Sequence, residues 1–454
     1  MSQYYRSLIQ TASLLLDLYP NAAVAYSLRK LRTAYSGSAI RVRRFVDNTE
    51  QDFGFDINGD LDIAGIESFF GNNLLLQSEN FNTTWLKLGS TVFTGVIAAP
   101  VGGGNADKLE EIAVNSAHQV TQTSGTINNS SSYFLSVYLK SAERTIVDIV
   151  SGIAGSSQVL RVNLTTGAVV SNSFANSPTI TSIGSGWWKV ELFVTSALTS
   201  VTTGFQIRLT NGAGAFSYLG TAGSGCYVWG AQISGGSSVV PYFKTTTVRA
   251  ADAFVRRWYD QSENSNNATQ DTAGNQAQII ANGFKITDAI TGKITTIWTT
   301  DRYTLATGID PNTKYLSIGV VNRTANTNNI IQLGVSGSIG GVNGQQPLFW
   351  IAITGAVRSD MYSTVTHANN TSTGAFIMTS EKNGSNLKTA YLNGSALATT
   401  ATEAPSTGTN INSFGQAGGN TTTCQYAEYI YWNIEQSANR AAIETAINDY
   451  YNVY

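Results

Sequence analysis

Charged side chains are scarce in this chain. Asp, Glu, Lys and Arg make up only 12% of its 454 residues, about half the usual share, while 42% are apolar. Because helices of soluble proteins normally carry charged outer faces, so little charge excludes a mainly helical protein. Between Ser196 and Phe243 the single charged side chain is Arg208. Such a stretch folds only if short apolar runs pair into sheets, and it predicts an all-β protein.

Cysteine is nearly absent as well. The two residues, Cys226 and Cys424, cannot supply a cysteine-based zinc site, and we expect both to be buried thiols. A net charge of −2 gives no basis for a nucleic-acid partner. No signal-peptide pattern and no apolar run of roughly 18–20 residues is present, so we expect synthesis in a cytoplasm and no membrane insertion. P-loop, dinucleotide and metalloprotease motifs are missing too.

The spacing of apolar residues predicts short helices near both ends of the chain. Residues 3–18 suit one helix, residues 60–71 a second one capped by Asp60 or Asp62, and residues 437–454 a third capped by Ser437. Residues 1–19 are then a helical arm that either packs as a lid or serves in docking and oligomerisation. Strands are predicted at 132–140, 145–150, 158–164, 186–194, 204–209, 226–233, 314–322, 329–335, 347–353, 375–382, 387–393 and 427–433.

Two separated segments look like parts of one sandwich. Residues 26–55 and 254–270 share its character, and about 180 residues of different character lie between them. The insert opens with NLLLQSENFNTTW and closes with YVWGAQISGGSSVVPYF. We therefore predict three units, which are the helical arm at 1–19, a discontinuous sandwich at 20–72 plus 248–454, and an inserted β module at 73–247.

Several motifs carry a family resemblance. Tyr-Ser-Gly at 35–37 and Trp-Tyr-Asp-Gln-Ser at 258–262 resemble the catalytic domain of fungal α-L-arabinofuranosidase B, a concanavalin-type β-sandwich. The tail at 425–454 resembles laminin-G-like domains of bacteriophage virion proteins, and the insert resembles jelly-roll carbohydrate-binding modules of phage fibres. This implies two sandwiches, one inserted in the other, on a virion surface. It also implies a host-surface glycan as partner, other virion proteins bound through 1–19, and a homo-oligomer.

The resemblance also bears on catalysis. The family's enzymes retain configuration and use two carboxyl groups, a nucleophile and a general acid. The region matching the nucleophile, 329–338, has no acid, and Asn420 stands after a Gly-Gly pair where the general acid is expected. An amide cannot donate a proton as a carboxylic acid does. We therefore expect no catalytic residues and no enzyme. The alternatives are a glycosidase with differently placed acids, and a purely architectural virion protein.

Acidic and amide side chains alternate at 56–62. Asp56, Asn58, Asp60 and Asp62 have the spacing of the first half of a calcium loop. The alternative is a turn followed by a helix N-cap. Calcium is the only cofactor that the sequence suggests.

Glycan-binding candidates come from two groups of residues. Trp85, Trp188 and Trp350 offer indole rings on which a pyranose can stack, with core burial as the alternative for each. The polar candidates are Asp260, Gln261 and Asn420. For Asp260 and Gln261 the alternative is buried hydrogen bonding to neighbouring backbone.

Overall fold

The structure is a computed structural model. It describes residues 13–201, 204–212, 214–249, 252–299, 301–309, 314–325, 330–331, 333–334, 350–351, 356–359, 365–370, 372–398, 400–402, 411–415 and 424–454. Within these ranges antiparallel strands dominate, and the helices are α1 (Leu15–Leu18), α2 (Ile63–Phe70) and α3 (Arg440–Tyr451). The predicted all-β fold, with one sandwich inserted in another and short helices near the ends, is confirmed. No described helix is long and apolar enough to cross a membrane.

The outer sandwich begins before the insert and is completed after it. Its first strands are β1 (Val24–Ser27), β2 (Ile40–Arg44) and β3 (Glu50–Phe53). The inserted module then supplies β4 (Leu86–Leu88), β5 (Ser90–Ala98), β6 (Asn105–Glu111), β7 (Asn115–Ala117), β8 (Gln119–Gln122), β9 (Gly125–Thr126), β10 (Ser132–Ser141), β11 (Ile146–Ser151), β12 (Gln158–Asn163), β13 (Ala168–Asn172), β14 (Thr179–Gly184), β15 (Trp187–Thr195), β16 (Ser200–Val201), β17 (Phe205–Leu209), β18 (Ser217–Leu219) and β19 (Gly225–Gly235).

Later strands return to the outer sandwich. They are β20 (Ala253–Trp258), β21 (Ala268–Thr269), β22 (Gln278–Ala281), β23 (Phe284–Lys285), β24 (Thr296–Trp298), β25 (Arg302–Ile309), β26 (Tyr315–Arg323), β27 (Ile330–Ile331), β28 (Leu333–Gly334), β29 (Trp350–Ile351), β30 (Ala356–Ser359), β31 (Val365–Asn369), β32 (Gly374–Lys382), β33 (Leu387–Leu392), β34 (Ser395–Ala396), β35 (Ala401–Thr402), β36 (Ile411–Gly415) and β37 (Cys424–Trp432).

The inserted module is a sandwich of two six-stranded sheets. One has the order β14-β15-β10-β19-β6-β5, and the other β13-β12-β11-β17-β8-β4. Successive side chains of a strand point to opposite faces, so Leu135, Val137 and Leu139 of β10 enter the core between the sheets. Ile149 on β11 and Ile207 on β17 meet them from the other sheet. This core gathers residues from the module alone, except that Phe284 of the outer sandwich packs against its edge.

Two sheets also face each other in the outer sandwich. In the first sheet, β37 pairs with β26 on one side and with both β1 and β24 on the other. Strands β32 and β33 continue this sheet beyond β26. In the other, β3, β2, β20, β21, β25 and β36 are neighbours in that order. The sheets meet through aromatic side chains, since the rings of Tyr26 and Phe414 stack with centroids 5.1 Å apart. Trp258 and Trp298 are fully buried beside them.

The described part of the N-terminal arm packs on the outer sandwich. Leu15 and Leu16 of α1 join Ile443 and Ile447 of α3 in an apolar cluster against β26 and β37. Burial of this kind stabilises by about 1.5–3 kcal/mol per large aliphatic side chain. The part of the arm at 13–18 is therefore a packed element. Residues 1–12 lie outside the described residues, and their docking role stays a prediction.

The N-cap residue predicted from the sequence is correct for α2 and wrong for α3. Asp62 caps α2 by accepting a hydrogen bond from the Gly65 backbone N–H, as predicted. The prediction of Ser437 as the cap of the last helix is wrong, because α3 begins after Asn439, which makes no side-chain cap bond. The chain reverses between β33 and β34 through Asn393 and Gly394, both with positive φ, as a tight hairpin requires.

Both cysteines are free and buried, as predicted. Burial raises the pKa of Cys226 to about 12, because the apolar surroundings disfavour its thiolate. The pKa of Cys424 is raised for the same reason. Neither thiol has the accessibility or thiolate character that reactive cysteines need.

We expect the stability of the outer sandwich to depend on pH through Asp301. Burial raises the pKa of this carboxyl to about 6, above the value of about 4 in an unfolded chain. As pH falls from 7 to 4, the folded state takes up this proton first, so stability rises. The Asp301→Asn variant lacks this titration. Its stability relative to wild type should therefore be about 2–3 kcal/mol greater at pH 7 than at pH 4 in urea unfolding. A pH-independent difference would contradict this.

Candidate functional site

The junction between the two sandwiches forms a groove. Its larger part encloses about 520 Å³ and its smaller part about 260 Å³. Lys285 and Thr287 line both parts, so we treat them as one feature and call it the junction groove. Both residues are exposed. The larger part borders the inserted module, and the smaller part lies within the outer sandwich.

Asn72 fixes the floor of the larger part. This residue is buried where the chain passes from the outer sandwich into the module. Its Nδ2 donates to the carbonyl oxygens of Gly235 (2.8 Å) and Gly283 (3.0 Å), and its Oδ1 accepts from the Gly235 N–H (3.1 Å). One side chain therefore ties the last strand of the module to the hairpin of the outer sandwich that carries Lys285.

Phe284 closes the module end of the groove. Its ring meets Tyr133 of the module edge to face, with centroids 5.3 Å apart. A Cβ at Gly235 would lie 2.6 Å from the Phe284 ring, so only glycine allows this approach. The aromatic contact fixes the position of the adjacent Lys285, an exposed residue that lines the groove.

Tyr450 dominates the smaller part of the groove. Lys293 Nζ lies 3.9 Å from its ring centroid and the Arg29 guanidinium carbon 4.5 Å, so the ring is bounded by two cations. Its hydroxyl donates to Asp60, and burial raises the pKa of Tyr450 well above its usual value. Asp56 and Asp60 complete the charged lining of this part.

A buried ion pair supports Tyr450 from behind. Glu428 accepts hydrogen bonds from Arg29 Nε (2.7 Å) and Nη2 (3.0 Å) and from Ser27 Oγ (2.7 Å). Arg29 also stacks on Tyr451, 5.4 Å from its centroid. Because both charges are satisfied, this cluster is a rigid wall of the groove rather than a reactive pair.

The predicted calcium residues form a turn and a helix cap instead of a cage. Asp56 Oδ1 accepts from the backbone N–H groups of Asn58 (2.8 Å) and Asp60 (3.0 Å), while Asp62 caps α2. No group of three or more His, Cys, Asp or Glu residues that could hold a metal occurs within the described residues. The turn and the helix cap of the alternative interpretation are therefore present, calcium binding stays a prediction, and Asp56 and Asp60 line the groove.

The two predicted tryptophan platforms with described side chains belong to the module core. Trp85 is 2% exposed, packs against Phe81 with centroids 4.7 Å apart, and donates from Nε1 to the Gln77 carbonyl. Trp188 is half-buried and donates from Nε1 to the Leu164 carbonyl at 2.9 Å. Trp85 therefore has no free face for a sugar, whereas a platform role for the half-buried Trp188 stays a prediction. The Trp350 side chain lies outside the described residues.

Asp260 and Gln261 are structural as well. Both are buried, 2% and 0% exposed, and their side chains bond to nearby backbone. Asp260 accepts from the Ala25 N–H at 2.8 Å, and Gln261 Nε2 donates to the carbonyl oxygens of Ser27 and Arg29. Their alternative interpretation is therefore correct. Asn420 lies outside the described residues.

Comparison with known proteins yields distant likenesses. No protein-family model and no curated protein matches the chain. Among solved structures it is similar to Trypanosoma rangeli sialidase, at 9% identity and a TM-score of 0.26, over 80% of this chain and 62% of that one. It is also similar to the CBM22 tandem domain of Paenibacillus barcinonensis Xyn10C, at 12% identity and a TM-score of 0.23, over 80% and 97%. The chain thus spans less than two thirds of the sialidase. At these TM-scores no residue role is transferred.

One expectation is corrected by this finding. The missing family acids led us to expect that the chain is not an enzyme, whereas the solved structures that it resembles include sialidases, which are enzymes. The region at 329–338 and Asn420, on which that expectation depended, do not settle the question, because the groove has carboxylates of its own. Glu67, Asp56 and Asp60 line it.

Sequence reasoning missed the residues that face the groove. Lys285 and Lys293 lie in the segment 284–294 and Tyr450 lies in α3, and none of them belongs to a motif. The hairpin at 284–294 and the last turn of α3 come together only because β24 pairs with β37 and α3 packs over that sheet. The one available signal was the Asp56–Asp60 spacing, which marked a segment that lines the groove.

Proposed function

We propose that the protein binds a saccharide in the junction groove. The observation that carries the proposal is the lining of its smaller part, where the Tyr450 ring is surrounded by Asp56, Asp60, Lys285 and Lys293. Carboxylates accept hydrogen bonds from sugar hydroxyls and ammonium groups donate to them, while the Tyr450 ring, held by Lys293 and Arg29, forms a fixed wall beside these groups. Most of these polar groups are at least partly exposed, so the groove contacts its ligand by a few hydrogen bonds beside an aromatic wall.

A second candidate function is hydrolysis of the bound saccharide. It is favoured by the three carboxyl groups of Glu67, Asp56 and Asp60 in the groove. Retaining glycosidases place two carboxyl groups about 5–5.5 Å apart, and inverting enzymes about 6.5–9.5 Å. Any saccharide that binds should therefore be incubated with the protein and analysed for released reducing ends.

For the biological setting we propose a bacteriophage virion surface. The support is the resemblance of residues 425–454 to laminin-G-like domains of virion proteins and of the insert at 73–247 to carbohydrate-binding modules of phage fibres. In this proposal residues 1–19 attach the protein to other virion proteins, and a homo-oligomer presents several grooves to the glycans of a host surface. Multivalency would convert weak individual contacts into firm attachment.

The first test is a glycan array with the full-length protein, followed by titration of one hit against two lysine variants. We expect Lys285→Ala to weaken binding by about 10–100-fold, because a hydrogen bond to a charged group contributes about 1.5–3 kcal/mol. Lys244→Ala is the matched control. Lys244 is also exposed, but it lies outside the groove and pairs with Glu79.

The outcomes of this titration separate the candidates. Equal affinity of Lys285→Ala and wild type would contradict the groove as the binding site. Binding without product would favour recognition alone, and binding with product would favour the glycosidase. A parallel array in chelator tests the calcium prediction, since a metal at Asp56 would make the binding depend on calcium.

A further inference from the structure

A second groove lies where the chain leaves the module. It encloses about 420 Å³ and shares no lining residue with the junction groove. Its walls include Leu74, the module turn around Gly125, and the segment from Thr247 to Arg249, with Phe45 and Asp252 at the outer sandwich. We call it the return groove.

Arg249 is held in a fixed orientation in the return groove. Its Nε donates to the Leu74 carbonyl oxygen at 2.7 Å. Its guanidinium lies against Gly125, where an added Cβ would be 3.3 Å from Cζ and from Nε. Gly125 has a φ of +75°, so a glycine is favoured there on backbone grounds as well. The Nε hydrogen bond and the glycine contact fix the orientation of the guanidinium group. Its two terminal nitrogens make no hydrogen bond within the described residues.

Within the part of the chain that the structure describes, Arg249 forms no ion pair. Asp252 lines the same groove, but its Oδ1 accepts from Gln278 Nε2 (2.9 Å) and from the Asn282 N–H (3.0 Å). Burial lowers the pKa of Arg249 and raises that of Asp252, because both charged forms lose solvation. A half-buried arginine without an anion is unfavourable, and a bound anion would offset that cost.

We infer that the return groove binds an acidic saccharide through Arg249. The terminal nitrogens of a guanidinium match the two oxygens of a carboxylate, here that of a hexuronic acid unit. Asp252, whose second carboxylate oxygen accepts no hydrogen bond from any described residue, and the exposed Thr247 line the same groove and can bond sugar hydroxyls. Phe45, 48% exposed, supplies an apolar face at the rim. This second site does not rest on the function proposed for the junction groove.

Trigalacturonate and its methyl ester provide the test. The ester keeps the sugar shape and removes the negative charge, so isothermal titration of both at low ionic strength isolates the role of the carboxylate. We expect wild type to bind the acid at least about tenfold more tightly than the ester. In the Arg249→Gln variant the acid should lose at least about tenfold in affinity. Phe45→Ala, which removes an exposed ring, should weaken binding of the acid while leaving the thermal midpoint unchanged.

Several results would overturn the inference. These are equal affinity for acid and ester, undiminished binding by a folded Arg249→Gln variant, or no binding of trigalacturonate. Inorganic phosphate is a further control. If phosphate binds as tightly as trigalacturonate, the groove recognises any small anion and the inferred saccharide specificity is wrong. The Lys244→Ala variant, whose residue lines neither groove, should bind trigalacturonate like wild type.

Discussion

Replacing Asp260 by alanine is expected to lower the free energy of unfolding by about 3–5 kcal/mol. The carboxylate is buried and accepts four hydrogen bonds, from the N–H groups of Ala25 (2.8 Å), Ser262 (2.9 Å) and Asn266 (2.8 Å) and from Ser262 Oγ (2.6 Å). Removing it leaves three backbone donors without a partner where water cannot easily reach. The loss should appear in urea unfolding of the full-length protein.

Asp271→Ala is the matched control for Asp260→Ala. The Asp271 side chain is 77% exposed and pairs with Arg256, which has Glu50 as a second partner. Removing such a surface ion pair should cost less than about 1 kcal/mol. Asp260→Ala protein that remains folded should still bind the array hit like wild type. A stable Asp260→Ala variant that has lost binding would restore Asp260 as a ligand contact.

Replacing Asp148 by alanine is expected to destabilise the inserted module by about 3–5 kcal/mol. Asp148 is fully buried on β11 and bridges two arginines, Arg161 on β12 (Nε at 2.7 Å) and Arg208 on β17 (Nη2 at 2.8 Å). Arg208 also stacks on Phe216, 4.0 Å from its ring centroid. Without the carboxylate, two mostly buried cations flank β11 from either side with no anion between them.

A triple variant separates charge from packing at this site. Asp148→Leu combined with Arg161→Met and Arg208→Leu removes all three charges and keeps apolar volume on the same strands. Replacement of buried ion pairs by apolar residues is often neutral or stabilising, so this variant should recover most of the stability that Asp148→Ala loses. Chemical unfolding of both variants measures the difference. A loss below about 1 kcal/mol for Asp148→Ala would show that the arginines reach water instead.

Much of the fold could be predicted because strand patterns are local. Short runs rich in apolar and aromatic residues, such as 132–140 and 186–194, mark strands by their own composition, and β10 and β15 lie where these runs predicted. The nesting of one sandwich in another came from matching separated segments of sequence. The cap of α3 could not be read from Ser437, because the turn at 436–439 is set by packing of Ile443 and Ile447 on the sheet.

The candidate site was less accessible to sequence analysis. The sequence offers each tryptophan singly as a platform for sugar stacking. Whether its ring is buried depends on the side chains of the facing sheet, and Trp85 lies in the core of the module. The sequence pattern around Tyr450 predicts a helix and no site. The residues next to it in the chain do not show that the last turn of α3 lies against Lys293. Pairing between distant strands creates the groove, so its members share no spacing in the chain.

The most direct test of the central claim is a crystal structure of the full-length protein with a saccharide identified on the glycan array. We predict that the sugar lies between Lys285 and the Tyr450 ring, with hydroxyl groups within hydrogen-bond distance of Asp56 or Asp60. A saccharide bound on a face of the inserted module, with the junction groove empty, would contradict the account.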